Sequence, residues 1–461
     1  MRIVIAIVVS RADSASEHIF EQLLAARDWD RRVDEHREDG MGGGDVFRID
    51  GFELRTFDDW HLELDDAAEP FDDPDLLVFA SRHSGDTGPL LTAHFTGNFG
   101  PAEFGGEDRS LAATCPSALS EILSAFDEHA PADYDTGIEC THHGPTEVDV
   151  PSMFVELGSG EAEWADSTAA AAVARSILDL RDVKPHAKRL DGDTETQNGE
   201  PPRRQLVGIG GGHYAPRFER IVRETDWHVG HVAADWTLDE LGPPERHRDV
   251  LDEAFQQSEA EFALVADTDR DLDDVRRVLS ESGYRIVSET WLREVDDVPL
   301  ALADDLESAL SPIDDGLRFG TVPEGWDDYT IQELPTDLLD EAQGIASATV
   351  RSAVERATLA FETVENGNRV RGRAAVSKTS DYDALIDALV DVLDGEYETV
   401  RRENGQVVAQ TMAFDPSLAR EAGVPDGPAF GKLSNGEPVS VDGRTIHPDD
   451  VESTRTVTFP V

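Results

Sequence analysis

Lysine is almost missing from this chain of 461 residues: Lys184, Lys188, Lys378 and Lys432 are the whole set, beside 36 arginines. Cysteine is scarcer still. Cys115 and Cys140 stand alone, which excludes a disulfide framework and fits a reducing compartment. Long apolar runs are lacking too. The opening MRIVIAIVVS is apolar for only about nine residues before the polar RADSASEH, a buried strand too short for a signal sequence. No run approaches the roughly 20 residues of a membrane helix, so a soluble, cytoplasmic protein with no membrane association is expected. Positive charge is outweighed throughout: 96 acidic against 40 basic residues give a net charge of -56. Such a chain repels itself in dilute buffer and is comfortable in brine, where the Debye length falls to about 3 Å at 1 M salt. The acid is spread along the chain with apolar periodicity between the charges, which argues for a folded protein of a salt-rich cytosol over a disordered one. The charge describes the solvent rather than the partner, and nothing points to DNA.

The length predicts two domains or more. Up to about residue 295, strands alternate with helices. Strands are expected at 3–9, 76–80, 90–95, 153–157, 205–209, 262–266 and 284–288. Helices are expected from Ser14, as a cap, and over 116–126, 162–180, 216–224 and 273–282. Residues 39–45 read as a flexible loop and 181–203 as a polar insertion. The alternation implies a layered α/β fold. An acidic, proline-bounded connection at 299–312 then leads to a smaller α+β domain over 296–461, with helices at 338–360 and 382–393. No internal repeat is apparent.

Chemistry concentrates where strands stop. Four of these places combine histidine with glycine and polar residues: Ser81-Arg82-His83-Ser84-Gly85; His94-Phe95-Thr96-Gly97-Asn98-Phe99-Gly100; Glu139-Cys140-Thr141-His142-His143-Gly144-Pro145-Thr146-Glu147; and Gly208-Ile209-Gly210-Gly211-Gly212-His213-Tyr214-Ala215-Pro216. In open α/β sheets the carboxyl ends of strands are where ligands bind. Singly, each has a plainer explanation. A lone strand-end histidine is more often a hydrogen-bonded structural residue, and adjacent His142 and His143 point apart in an extended chain. The glycines 210–212 resemble a phosphate cradle but match neither a Walker nor a dinucleotide fingerprint. Together, imidazoles with Glu139, Glu147 and Glu156 nearby suit a divalent ion, zinc first, and zinc would make a bound water acidic enough for hydrolysis at neutral pH. The competing chemistry is a histidine base on water, with Asn98 or glycine amides facing an oxyanion.

These segments resemble the archaeal-type D-aminoacyl-tRNA deacylases shared by archaea and plants. The resemblance rests on FASRHS, HFTGNFG, THHGPTE followed by VPSMFVELGS, the pair Glu163-Trp164, GIGGGHYAP, and Gly230-His231, over roughly residues 1–290. It implies a three-layer α/β/α domain with a mixed sheet, similar to phosphorylases and peptidyl-tRNA hydrolases. It also implies hydrolysis of the D-aminoacyl ester on tRNA as chiral proofreading, with zinc, two per chain at most, and a monomer or small homo-oligomer. On that reading His83, His94, His142, His143 and His213 are catalytic residues or metal ligands, joined as ligands by Glu139 and Glu147. Asn98, Gly210, Gly211, Gly212, Tyr214 and Arg217 would contact substrate, and Asp86 and Thr87 rank lower. The chain departs from the family at VADTDR (265–270) and at VAADW after His231, where a lysine-containing stretch is expected. Arg203, Arg204, Arg217, Arg220 and Arg223 could stand in, facing tRNA phosphates. Residues 423–446 are similar to a piece of tRNA 3′-processing ribonucleases, without the metal motif of that class. The alternatives are a zinc-dependent amidohydrolase or peptidase on small D-amino acid substrates, a non-catalytic tRNA-binding protein, and a nucleoside phosphorylase.

Overall fold

The computed structural model describes residues 3–188, 203–266, 268–323, 326, 328–377 and 382–461. The expected insertion at 181–203 therefore lies mostly outside the described residues. Two compact units emerge, Met1–Asp296 and Asp297–Val461.

The first unit is built on an eight-stranded mixed sheet. Its strands are β1 (Ile5–Ser10), β2 (Asp30–Asp34), β3 (Gly44–Ile49), β4 (Phe52–Phe57), β5 (Leu76–Arg82), β6 (Leu90–His94), β7 (Asp135–Ile138) and β8 (Ser152–Gly158), in the order β2-β3-β4-β1-β5-β8-β6-β7. The β-branched run of β1 is buried at every position and lies parallel to β4 on one side and β5 on the other. A central parallel strand, covered on both faces, has no place for alternating polar residues. Helices α1 (Ser14–Ala26), α2 (Pro116–His129) and α4 (Ser167–Asp179) pack against one another and on β5, β6 and β8. The short α3 (Glu161–Trp164) precedes α4.

Two helix starts differ from the sequence reading, for the same reason. Asp13, not Ser14, caps α1 by accepting the amides of Ala15 and Ser16. The helix expected over 162–180 is two helices, because Asp166 turns its carboxylate onto the Thr168 and Ala169 amides and starts α4 afresh. A side chain that caps the next helix has ended the previous one.

The strands β9 (Gln205–Ile209), β10 (His228–Ala233), β11 (Phe262–Val265) and β12 (Arg285–Val287) do not extend the first sheet. They form a second, all-parallel sheet in the order β10-β9-β11-β12, joined by α5 (Pro216–Glu224), α6 (Asp235–Leu241), α7 (Arg248–Gln257) and α8 (Asp273–Glu281). The chain after β7 ties the sheets together. Cys140 donates its amide to His213 O at 2.8 Å, Thr141 to Val232 O at 2.9 Å, and Ala215 to Ile138 O at 3.1 Å. That seam brings the glycine-rich turn after β9 against the THHGP segment.

In the second unit the acidic stretch 299–312 is not a connection. Residues Leu300–Ala309 form a helix with Leu300, Leu302, Ala303 and Leu306 buried and the acids outside. Helices Thr336–Ala357 and Tyr382–Asp394 share a core with Phe361, Val407 and Phe459 from antiparallel sheets. The segment 423–446 contains the helix Pro428–Ser434 and the strand pair Val439–Val441 with Arg444–Ile446.

Candidate functional site

Strand order and register assemble the site. β8 lies between β5 and β6, setting Glu156 opposite Ser81 on one side and Thr92 on the other, while His94 faces Phe154. His83 leaves β5 one residue later, and its amide is held by Leu157 O at 3.0 Å. Gly158 makes room for it: a Cβ there would lie 2.6 Å from the His83 Cβ. From the seam between the sheets come Glu139, His142, His143 and His213. These residues line a cavity of about 640 Å³ with Trp60, His61, Arg82, Phe104 and Phe154.

Two buried carboxylates organise the imidazoles. Glu139 accepts from His213 Nε2 at 2.7 Å and lies 3.0 Å from His83 Nδ1, while Glu156 lies 3.5 Å from the same Nδ1. Burial alone would raise the Glu139 pKa, but the hydrogen bonds from His213 and His83 carry it well below the ordinary carboxylate value. Burial likewise works against a charged His83, and the two carboxylates override it and hold the ring protonated. His83 Nε2–H then donates to the Tyr214 hydroxyl at 2.9 Å.

The other three rings share one backbone contact. His94 Nδ1 donates to Phe95 O at 3.1 Å, His142 Nδ1 to Cys140 O at 2.9 Å, and His143 Nδ1 to Gly144 O at 2.7 Å. A carbonyl can only accept, so each Nδ1 carries a proton; burial works against a charge on His94, but Glu156 overrides it and raises its pKa. Burial, then His94, lowers the pKa of His142 well below the usual histidine value and that of His143 to about 4. His94 Nε2 is buried without a hydrogen-bond partner among the described residues; its nearest carboxylate oxygen, on Glu156, is 3.6 Å off.

Three groups of donors are close enough to hold a metal ion: His94 with His142 and His143, Cys140 with His142 and His213, and His83 with Glu139 and Glu156, the atoms of each within 4.8 Å of one another. The first fits best. Backbone carbonyls orient its rings, as second partners do for metal-bound histidines. Cys140 is a weaker donor, since burial, then Glu139, pushes its thiol up to about 12.

A family model for D-aminoacyl-tRNA deacylases matches residues 70–287, the span that holds His83, His94, His142, His143, His213, Glu139 and Glu156. A D-aminoacyl-tRNA deacylase of Natronomonas pharaonis is 54% identical over 452 residues, 98% of each chain. The chain belongs to the D-aminoacyl-tRNA deacylase family. The deacylase of Halorubrum lacusprofundi is 51% identical over 99% of this chain and 97% of its own, so these relatives share the second unit too. At greater distance, the family member of Methanococcoides burtonii is 29% identical over 97% of this chain and 94% of its own. Among solved structures, a conserved protein of unknown function is similar at 28% identity with a TM-score of 0.53, over 63% of this chain and 97% of that one.

Within this deacylase fold, the five histidines singled out by sequence come together, and Glu139 with them. Glu147 does not. It is exposed, and its nearest electrostatic neighbour is Glu107, which raises its pKa. The cis Gly144-Pro145 bond lies between the two histidines and Glu147, and the second carboxylate of the cluster is Glu156. Asn98 is committed elsewhere, its side-chain amide donating to Gly105 O and Glu107 O at 2.9 and 3.1 Å. The glycine turn is no open anion cradle either. Gly210 donates its amide to Ala233 O at 2.7 Å and Gly211 to the Asp235 carboxylate at 3.2 Å, both at positive φ. Gly212 and Arg217 are not among the cavity's lining residues, and Arg217 is 2.8 Å from Glu289. Tyr214 reaches the site through its hydroxyl and through edge-on ring contacts with His83 and His213, at 5.8 and 5.1 Å between centroids. Asp86 is exposed, and Thr87 bonds to Ser159. Arg203 pairs with Glu259, Arg220 with Glu289, and Arg223 with Glu219 and Asp127, while Arg204 donates to Val295 O. His231 is a core residue, bonded to Thr141 and Ala112 O at 2.9 Å each.

Sequence reasoning missed Cys140 as a donor, His61 and Phe104 as walls, and Trp236, whose ring lies 6.3 Å from that of His213. No local pattern marks them. Glu156 carried a signal, a single acid inside the apolar run MFVELG, fully covered on its strand.

Among the described residues no helix is long and apolar enough to cross a membrane.

Proposed function

We propose that this chain hydrolyses the ester of D-aminoacyl-tRNA to free D-amino acid and tRNA, as its relatives are named for, and that the histidine-lined cavity is the active site. The observation that carries the proposal is the convergence of three Nδ1-tied imidazoles beside two buried carboxylates, in a cavity sized for an aminoacylated nucleoside rather than a tRNA stem. The first unit is taken as a three-layer α/β/α body of the phosphorylase and peptidyl-tRNA hydrolase kind. The protein is assigned to the cytoplasm as a monomer or small homo-oligomer.

His94, His142 and His143 would hold a zinc ion, whose preference for imidazole donors they match. His142 belongs to two of the three donor groups, and His83 in the third is held protonated by Glu139 and Glu156, so the cluster suits a single ion. A bound ion would supply Lewis acidity and a more acidic water.

The side chains do the rest. His213 is the most exposed of the rings whose exposure bears on the choice, at 34% against 17% for His142, 6% for His83 and 0% for His94. With its Nε2–H held by Glu139, His213 is the base that takes a proton from the attacking water and returns it to the leaving ribose oxygen. His83, fixed as a cation by Glu139 and Glu156, favours negative charge growing on the ester oxygen. The exposed ring of Phe104 offers a face for the terminal adenine. Selection of D over L requires a wall that the side chain of the L ester would strike.

The test is release of tyrosine from D-Tyr-tRNA and L-Tyr-tRNA in multimolar KCl. D-selective release is expected. No release, or equal release from both, would overturn the proposal. Release from D-tyrosine methyl ester as fast as from D-Tyr-tRNA would favour a small-substrate esterase.

A further inference from the structure

A polyanion approaching a chain of net charge -56 in brine is helped only by contacts at ion-pair range, because the Debye length is about 3 Å at 1 M salt. The arginines around the glycine turn are poor sources of such contacts, since Arg203, Arg217, Arg220 and Arg223 all sit on carboxylates. Arg82 is different. Its guanidinium lies over two indoles, 4.3 Å from the Trp60 ring centroid and 4.6 Å from that of Trp164. It makes no ion pair or side-chain hydrogen bond among the described residues. The buried Asp13, which accepts the Arg82 amide at 3.0 Å, acts on the charge only through space. Glu63 lines the same cavity, and Glu17, Glu21 and Glu161 line a neighbouring hollow that Arg82 also borders. None of these comes within ion-pair distance of the guanidinium.

The clamp is anchored to the site. Trp164 Nε1 donates to His83 O at 2.9 Å, and His18 holds the Trp164 carbonyl at 3.0 Å. The two indoles hold the guanidinium while leaving its N–H donors without a hydrogen-bond acceptor among the described residues. A planar fork of such donors suits a bidentate oxyanion. Arg82 lines the same cavity as its chain neighbour His83.

We infer that Arg82, held against Trp60 and Trp164, binds the phosphodiester immediately 5′ of the terminal adenosine and so sets the register of the ester over the histidines. The inference rests on the deacylase reading and adds a phosphate subsite to it. Lysine would keep the charge without the planar fork or the stacking, so Arg82→Lys should serve poorly.

The experiment compares D-Tyr-tRNA carrying its natural last linkage with the same tRNA ligated to carry a neutral methylphosphonate there. Wild type, Arg82→Gln and Arg82→Lys are each assayed for kcat/KM on both. Any general effect of a substitution on folding or turnover cancels in the ratio of the two substrates. Wild type should prefer the charged linkage by about ten- to a hundredfold, the range for a hydrogen-bonded charge. Arg82→Gln should bring the ratio close to one, with Arg82→Lys between. A wild-type ratio near one, or an Arg82→Gln ratio equal to that of wild type, would overturn the inference while leaving the deacylase reading intact. Failure of wild type to release D-tyrosine from natural D-Tyr-tRNA would instead remove the reading on which the inference rests.

Discussion

Replacing Glu139 by Gln is the sharpest perturbation the site allows, because it changes charge with almost no change of shape. The Glu139 side chain is fully covered, accepting from His213 at 2.7 Å and lying 3.0 Å from the charged His83. Glutamine offers one acceptor where the carboxylate offers two, so an N–H₂ must face one of those two donors. Removing one partner of a buried ion pair typically costs about 3–5 kcal/mol. Glu156 remains 3.5 Å from His83, which places the expected loss near the lower end, about 3 kcal/mol. At roughly 2–4 °C per kcal/mol for a large domain, melting should fall by roughly 6–12 °C. Turnover should fall much further, by about 10²- to 10⁴-fold, because His213 loses the acceptor that fixes its tautomer. The assay is D-tyrosine release from D-Tyr-tRNA at 25 °C in multimolar KCl, with a melting curve in the same buffer. At that temperature the variant is still folded, so stability alone accounts for little of the lost rate. A variant that melts early yet turns over within a few-fold of wild type would refute the role given to Glu139.

Gly158→Ala places a methyl 2.6 Å from the His83 Cβ; deacylation should drop by more than tenfold while far-ultraviolet circular dichroism is unchanged, and full activity would show that His83 tolerates displacement. Glu147→Gln, on an exposed carboxylate outside the cluster, should leave turnover within about twofold and melting within about a degree; a large loss of turnover would return Glu147 to the site. The buried His61 and His231 and the half-buried His228, all outside the donor groups, have their pKa values lowered by burial to about 4, about 3 and about 4. Below pH 6.5 the unfolded chain therefore binds more protons than the folded one, and stability should fall as pH drops from 6.5 toward 4, on the order of 1 kcal/mol per pH unit per histidine. His83, whose folded value is raised, stays charged when folded and titrates at about 6.5 when unfolded, so it opposes the slope between pH 7 and 6 and adds little below that. Urea unfolding at fixed KCl and pH 7, 6 and 5 reads this directly, and a midpoint that stays constant to pH 5 would contradict it.

The histidines were legible in the sequence because each stands at or just past the end of a strand, among glycines and polar residues, where ligands bind in open α/β sheets. Which carboxylate joins them was not. Glu147 is close in sequence to His142 and His143 but stands beyond the Gly144-Pro145 bond, on the surface. Glu156 lies thirteen residues away from His143 along the chain, and only the β5-β8-β6 order makes them neighbours. The glycine turn misled for a related reason: glycines 210 and 211 supply positive φ, yet their amides serve Ala233 and Asp235 rather than a ligand. In the second unit the acids of 299–312 hid a helix, since a surface this acidic puts Asp and Glu on helices and loops alike and blurs the signal that separates them. Strands such as Glu452–Pro460 were missed on the same ground, being mostly exposed and polar. Arg82 was visible as a letter in FASRHS, but its two indoles come from segments 22 residues before and 82 residues after it.

The central claim is that the His94, His142 and His143 cluster holds an ion the deacylase needs. The direct measurement is D-tyrosine release by protein stripped with a chelator and then titrated with zinc, with bound metal counted at each step. The account predicts that activity vanishes on stripping and returns in proportion to zinc bound, and that His142→Ala neither binds the ion nor recovers. D-selective release that persists at zero bound metal would contradict it.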